Sequence, residues 1–344
     1  MPPWKDAERA DGAAPRGDAS EFEYEERFPR QERRSRTPME EDEHFWRPAV
    51  RDWSPIRVDT AIGEFEPQPP ILTGLNRADT EFDGWSTPEL TLRSASVRGY
   101  LHRHNGKPRQ DAVETAYHPE TATIVFAVAD GVSSAPRAEL GATVACRTFV
   151  AALVHQLTRR QELDWQHAVD STIEALVVEG SRLPGVSADD WTQIERVLAT
   201  TLVAGTVWPT EVGMLLTLVQ IGDSGAWILD RNGYRSVIAP KHNPEDVVVS
   251  NAVSPLPRRP QEPVAFTQLH FFPGQVLLVG TDGFGDPLGD GDGLVGELFG
   301  RHLLAGPPPA VGLAHLLDFS RELFDDDRTL LALWPREPAR RSPG

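Results

Sequence analysis

The sequence predicts an α+β fold in which antiparallel sheets carry helices on their outer faces. Two observations carry this. Apolar runs with strand character arrive in hairpin-like pairs, "TTLVAGTVW" beside "GMLLTLVQIGD", with "GAWILDRNGYRSVI" folding back on itself. Two helical patterns then follow one another without a strand between them, which departs from the strand–helix alternation of a parallel sheet.

Each element has its own signal. "ELTLRSASVRG" alternates with the period of two of a strand, and "TATIVFAVAD" is an apolar strand. A helix follows, because Cys146, Phe149, Val150, Leu153, Val154 and Leu157 recur at i, i+3, i+4, i+7, i+8 and i+11. Trp165, Ala168, Val169, Thr172, Ile173, Leu176 and Val177 repeat that spacing in a second helix. The two paired strands come next, then the hairpin with Asn232-Gly233 as its turn. A proline-rich loop over roughly 240–263 precedes "VAFTQLHFFPGQVLLVGTDG". A last helix near Leu313 to Leu323 leads to the closing strand "RTLLALW".

Residues 1–89 read differently from the rest. "EFEYEERFPRQERRSRTPMEEDEHF" alternates acidic and basic clusters, and prolines dominate up to Pro88. Such a segment buries too little surface to offset its ordering entropy, so a mostly disordered acidic tail is expected. Trp4, Trp46, Trp53 and Trp85 fall within it, and "HFWRPAVRDWSP" is a candidate docking segment for the folded part or a partner. The expected folded domain is 90–334, and 335–344 is a short C-terminal tail.

The chain has 344 residues, with 51 acidic against 34 basic, for a net charge of −17. That balance argues against nucleic acid and against an anionic membrane surface as partners. No apolar run is expected to reach the roughly 20 residues of a membrane span, and the N-terminus lacks a secretory signal. Cys146 is the single cysteine, so no intrachain disulfide forms and a cytoplasmic location is expected. The thiol falls on the apolar stripe of its helix, as a buried structural residue would.

Three apolar runs end on an aspartate next to a glycine: "VFAVADGVSS" at Asp130, "LVQIGDSGAW" at Asp223 and "VLLVGTDGFGD" at Asp282. Asp326 precedes the closing strand in "DDRTLLALW", and Asp111 lies in "RQDA" before an early one. A carboxylate at the end of a buried strand is costly unless a charge meets it. If the strand ends converge on one edge of a sandwich, several ionised carboxylates share a small volume, which implies a bound cation. Oxygen ligands without a His/Cys cluster suit Mg²⁺ or Mn²⁺ rather than zinc. A single Asp-Gly after a strand is ordinarily a turn; the recurrence is what points to a site. The loop "GDPLGDGDG" does not spell a calcium-binding EF-hand, since Phe299 falls where the closing acid is required.

"RQDA", "VFAVADGVSS", "TTLVAGTV", "LVQIGDSGAWIL", "VLLVGTDGFGD" and "DDRTLLAL", in that order, resemble the metal-dependent type 2C (PPM) Ser/Thr protein phosphatases from about Leu90 to Trp334. The resemblance implies a four-layer αββα sandwich, two packed antiparallel sheets flanked by helices. It also implies hydrolysis of phosphoserine and phosphothreonine by attack of a water held between two Mn²⁺ or Mg²⁺ ions. Asp130, the Gly131 carbonyl, Asp282 and Asp326 would hold those ions, and Asp111 would orient the water. Asp223 and Asp286 match acids that hold a third ion in some members. The implied partner is a phosphorylated protein, with the enzyme opposing a Ser/Thr kinase. Members place an arginine three residues after the first-strand glycine to clamp the phosphate; here that position is His102, with Arg103 beside it, and these are the expected phosphate contacts. The substitution keeps open a second reading, a catalytically weak, phosphatase-shaped binding or regulatory module.

Overall fold

A computed structural model describes residues 55–63, 65, 67–68, 77–187, 189–238 and 255–337. In chain order the elements are β1 (Thr80–Ser86), β2 (Leu90–Val97), α1 (Tyr100–His104), β3 (Ala112–His118), β4 (Thr123–Ala129), α2 (Ala138–Thr158), α3 (Trp165–Ser181), α4 (Trp191–Leu198), β5 (Leu202–Thr210), β6 (Gly213–Ile221), β7 (Gly225–Asp230), β8 (Gly233–Ser236), β9 (Phe266–Phe271), β10 (Val276–Gly280), α5 (Asp282–Leu288), α6 (Leu294–Leu303), α7 (Ala310–Leu317) and β11 (Arg328–Pro335). One sheet has the order β1-β2-β11-β10-β7-β8 and the other β3-β4-β5-β6-β9. Every ladder between these strands is antiparallel.

Three apolar layers hold the sandwich together, and the period of two explains how one strand serves two of them. On β4, Ile124, Phe126 and Val128 face the other sheet, while Val125, Ala127 and Ala129 pack on α2 and α3. On β10, Leu277 and Val279 face inward, while Val276 and Leu278 pack outward with Phe284, Phe299 and Leu317 of α5, α6 and α7. A strand covered on both faces has no polar side to show, which is why these segments read as unbroken apolar runs. The expected helix–sheet–sheet–helix layering is therefore present.

Several boundaries differ from the sequence reading. The domain begins before residue 90: β1 pairs with β2 along its length, from Thr80↔Val97 to Ser86↔Thr91. It is an edge strand, exposed over most of "TEFDGWS", so its backbone ladder holds it without an apolar signature. Trp85 is half-buried against the intersheet layer, tilted 6.3 Å from Tyr117. Residues 56–62 also join the domain, with Val58 N–H donating to Ser320 O at 3.0 Å, Ser320 N–H to Ile56 O at 2.8 Å, and Val58 buried. Residues 1–54 of the expected tail, with Trp4, Trp46 and Trp53, lie outside the described residues, as do most of 64–76 and all of 338–344; Pro335 closes β11.

The hairpin closes one residue earlier than expected, on Asp230↔Gly233, with Arg231 and Asn232 as the turn. The last helix is Ala310–Leu317, because Asp318 onward turns to meet residues 56–60. Of the proline-rich loop, 239–254 lies outside the described residues. Contrary to the expected absence of long apolar runs, α2 has the length and composition of a membrane span. Phe149, Leu153 and Ala145 on it are nevertheless buried against the sheet as core.

Candidate metal centre

The five aspartates come to one edge of the sandwich. Asp130 follows β4, Asp223 lies in the β6–β7 turn, Asp282 opens α5 just past β10, and Asp326 precedes β11. Asp111 precedes β3. The carboxylates of Asp130, Asp223 and Asp282 offer oxygens within 4.8 Å of one another, and His102, Asp326 and Asp327 form a second such group. Asp223 thus joins the central acids. Asp286 sits one helical turn after Asp282, and its charge acts on that residue.

Hydroxyl side chains fix the strand ends. The Asp130 carbonyl accepts the Thr200 hydroxyl and the Thr201 N–H, both at 2.8 Å, and Asp130 N–H donates to Thr201 Oγ1 at 3.0 Å. Thr201 Oγ1 in turn lies 2.9 Å from Ser224 Oγ, tying the β5 entrance to the turn that carries Asp223. Thr281 Oγ1 donates to Asp111 Oδ2 at 2.8 Å and accepts Thr329 N–H at 3.0 Å. None of these hydroxyls was singled out from sequence, although a Thr or Ser accompanies the acid in "GDS", "TDG" and "DDRT".

Asp327 is the other residue missed. Its buried carboxylate accepts Gly99 N–H at 2.6 Å and Gln110 N–H at 2.5 Å, and lies 2.9 Å from His102 Nδ1. It therefore joins the start of α1, the Asp111 segment and the entrance to β11. Close approach is also built into the backbone: a Cβ on Gly283 would stand 1.9 Å from the Asp327 carbonyl oxygen, and one on Gly131 2.6 Å from that of Ala138.

The electrostatics are those of a cation site. Burial, then the charge of Asp327, pushes Asp111 up to about 7. Burial followed by the charges of Asp111 and Asp282 raises Asp130 well above the usual carboxylate range. Burial and Asp326 raise Asp282, and burial and Asp327 raise Asp326. Carboxylates so placed resist ionising together unless positive charge joins them. Asp111 Oδ1 is buried and has no hydrogen-bond partner. Convergent carboxylates and a buried carboxylate oxygen without a hydrogen-bond partner fit divalent cations with oxygen ligands.

The expected phosphate contacts fare differently. His102 is buried, and although burial works against its protonation, the adjoining Asp327 carboxylate raises its pKa. Arg103 is a correction. Its guanidinium binds Asp79 through Nη2 at 2.8 Å and Nε at 3.2 Å, and Asp318 through Nη1 at 2.8 Å. Half-buried carboxylates have claimed the planar fork, so it braces α1 instead of facing the acid cluster.

The fold and the acid cluster agree with the type 2C resemblance read from the sequence. The protein phosphatase 2C family model matches residues 98–316, well over half of the chain, and the chain belongs to that family. Among solved structures, PppA, a regulatory component of T6SS in Pseudomonas aeruginosa, is 18% identical, with 72% of this chain and 98% of that one covered at a TM-score of 0.50. The catalytic domain of the serine threonine protein phosphatase PstP, solved with 2 manganese ions, is also 18% identical, covering 72% and 99% at 0.50. The Ser-Thr phosphatase MsPP from Mycobacterium smegmatis, in complex with cacodylate, is 17% identical, covering 70% and 97% at 0.48. No curated protein sequence matches the chain significantly. At such identities the two structures with a TM-score of 0.50 speak for the fold alone.

Proposed function

We propose that the protein is a Mn²⁺- or Mg²⁺-dependent phosphatase that removes phosphate from phosphoserine or phosphothreonine in a protein substrate, opposing a Ser/Thr kinase. The observation that carries this is the convergence of Asp130, Asp223 and Asp282 within 4.8 Å, beside Asp111 and Asp326, in a chain of the phosphatase 2C family. Asp130, Asp282, Asp326 and the Gly131 carbonyl would hold two ions, and Asp223 and Asp286 a third. When bound, such ions lower the pKa of water and offset charge on phosphoryl oxygens.

The chain's own residues supply the rest. Asp111, fixed through Oδ2 by Thr281, presents its unpartnered Oδ1 as the acceptor that orients the attacking water. Burial opposes and the Asp327 carboxylate favours the protonated form of His102, on the side of the site where α1 begins. A single cysteine, which leaves no intrachain disulfide to form, accords with a reducing compartment such as the cytoplasm.

Phosphate release from a phosphothreonine peptide tests the proposal. Release should require Mn²⁺, cease in EDTA, and fall about 100-fold or more in Asp282→Asn. Mn²⁺ binding without release would overturn it and favour the second reading, a catalytically weak binding module. The observation on that side is the commitment of Arg103 to Asp79 and Asp318.

A further inference from the structure

A cavity of ≈ 310 Å³ opens beside the acid cluster. It is continuous in sequence with the site on two sides: Gln110 adjoins Asp111, and Ser133 and Ser134 follow Asp130-Gly131. Pro108 and Pro136 line it with apolar surface, and the two exposed serines line its mouth. Gln110 and Glu139 also line it; they are 5% and 3% exposed, and each keeps a buried oxygen without a hydrogen-bond partner, Gln110 Oε1 and Glu139 Oε2.

Both orphaned atoms are acceptors, and an unpartnered buried acceptor is expensive. The group that satisfies them must bring hydrogen-bond donors, as a cationic N–H head does. Glu139 Oε1 is already paired with Arg137 Nε at 2.7 Å, so Oε2 is the oxygen left for an incoming group. Lys107 also borders the cavity, but it is exposed and its charge is screened by solvent, whereas Glu139 acts from low dielectric. An apolar wall above a buried carboxylate and amide oxygen matches a side chain with a hydrocarbon stem and a multidentate cationic head. The net charge of −17 draws such segments towards the protein.

We infer that this cavity is a specificity subsite for a cationic side chain, arginine or lysine, on a residue flanking the phosphorylated one in the substrate; the inference rests on the phosphatase reading above. Glu139 and Gln110 are its specificity-determining residues. The cations that the neighbouring acids would hold take the phosphoryl group, and the subsite reads the sequence beside it.

Binding tests the subsite separately from turnover. Non-hydrolysable phosphonate analogues of a phosphothreonine peptide, with arginine, alanine or glutamate scanned through the flanking positions, would be titrated calorimetrically into the full chain with Mn²⁺. At one position arginine should bind about tenfold more tightly than alanine, with glutamate weaker still. Glu139→Gln should abolish the preference, and Ser134→Tyr, which fills the mouth from an exposed position, should do the same if Glu139→Gln fails to fold. Equal binding of all peptides would overturn the subsite, as would a preference that survives in the folded variants. Hydrolysis of p-nitrophenyl phosphate, which has no flanking residue, reports on the phosphatase reading alone.

Discussion

Asp111 shows how one hydroxyl decides what a buried carboxylate does. Thr281 Oγ1 engages Oδ2 and leaves Oδ1 facing the site without a partner. Thr281→Val keeps the shape and removes the donor, so Asp111 loses its fixed orientation. We expect kcat with Mn²⁺ to fall about 10- to 100-fold with little change in KM, and Thr281→Ser to restore most of it. Full kcat in the valine variant would show that Thr281 does not position Asp111. The acids were legible in the sequence because a carboxylate ending an apolar run conflicts with burial, and the conflict recurs at Asp130, Asp223 and Asp282. The hydroxyls were not legible, since a threonine beside a strand end conflicts with nothing. Arg103 was misread for a related reason: an arginine near a phosphate site is equally at home there or in an ion pair, and only the fold brings Asp79 and Asp318 to it.

Among the elements, the strands with both faces covered were the most readable and the short helices the least. β4 from Ile124 to Ala129 and β10 from Val276 to Val279 are apolar without a break because a helix layer and the opposite sheet each claim alternate residues. α4 has eight residues and buries only Ile194 and Leu198, too few turns for a period to emerge. α5 reads "DGFGDPL", with glycine and proline that mark a loop in isolation. It forms nonetheless because Phe284 and Leu288 sink into the outer core and Gly283 lets its first turn abut the Asp326–Asp327 segment. That junction yields a prediction. Gly283→Ala places a methyl 1.9 Å from the Asp327 carbonyl oxygen, a contact that only a backbone shift can relieve. Overpacking of this kind costs about 1–3 kcal/mol. Because the shift separates Asp282 from Asp326, weaker Mn²⁺ binding should accompany the lower Tm. A variant with an unchanged Tm and metal affinity would mean that α5 and the β11 entrance do not need their close contact.

For the whole molecule, the acid cluster makes stability depend on protons and cations together. Asp111 is held at about 7, and Asp130, Asp282 and Asp326 are also raised, each with burial as the first cause. In the unfolded chain all of them titrate near the ordinary aspartate value of about 3.9. The folded, cation-free protein therefore binds more protons than the unfolded chain between those values, and its stability falls as pH rises through them. The contribution is fully present below about pH 4 and lost as pH climbs past the folded-state values, near 7 for Asp111. A divalent cation replaces those protons, so its stabilisation should grow over the same interval. Tm measured with saturating Mn²⁺ and with EDTA should nearly coincide at pH 5 and diverge by several degrees at pH 8, with the EDTA curve the one that drops. Groups remote from the cluster titrate alike in both samples and cancel from the difference, which isolates the aspartates despite a net charge of −17. A difference that stays constant with pH would mean that protons and the metal do not compete for these carboxylates, and the convergence of strand ends on a cation site would lose its electrostatic basis.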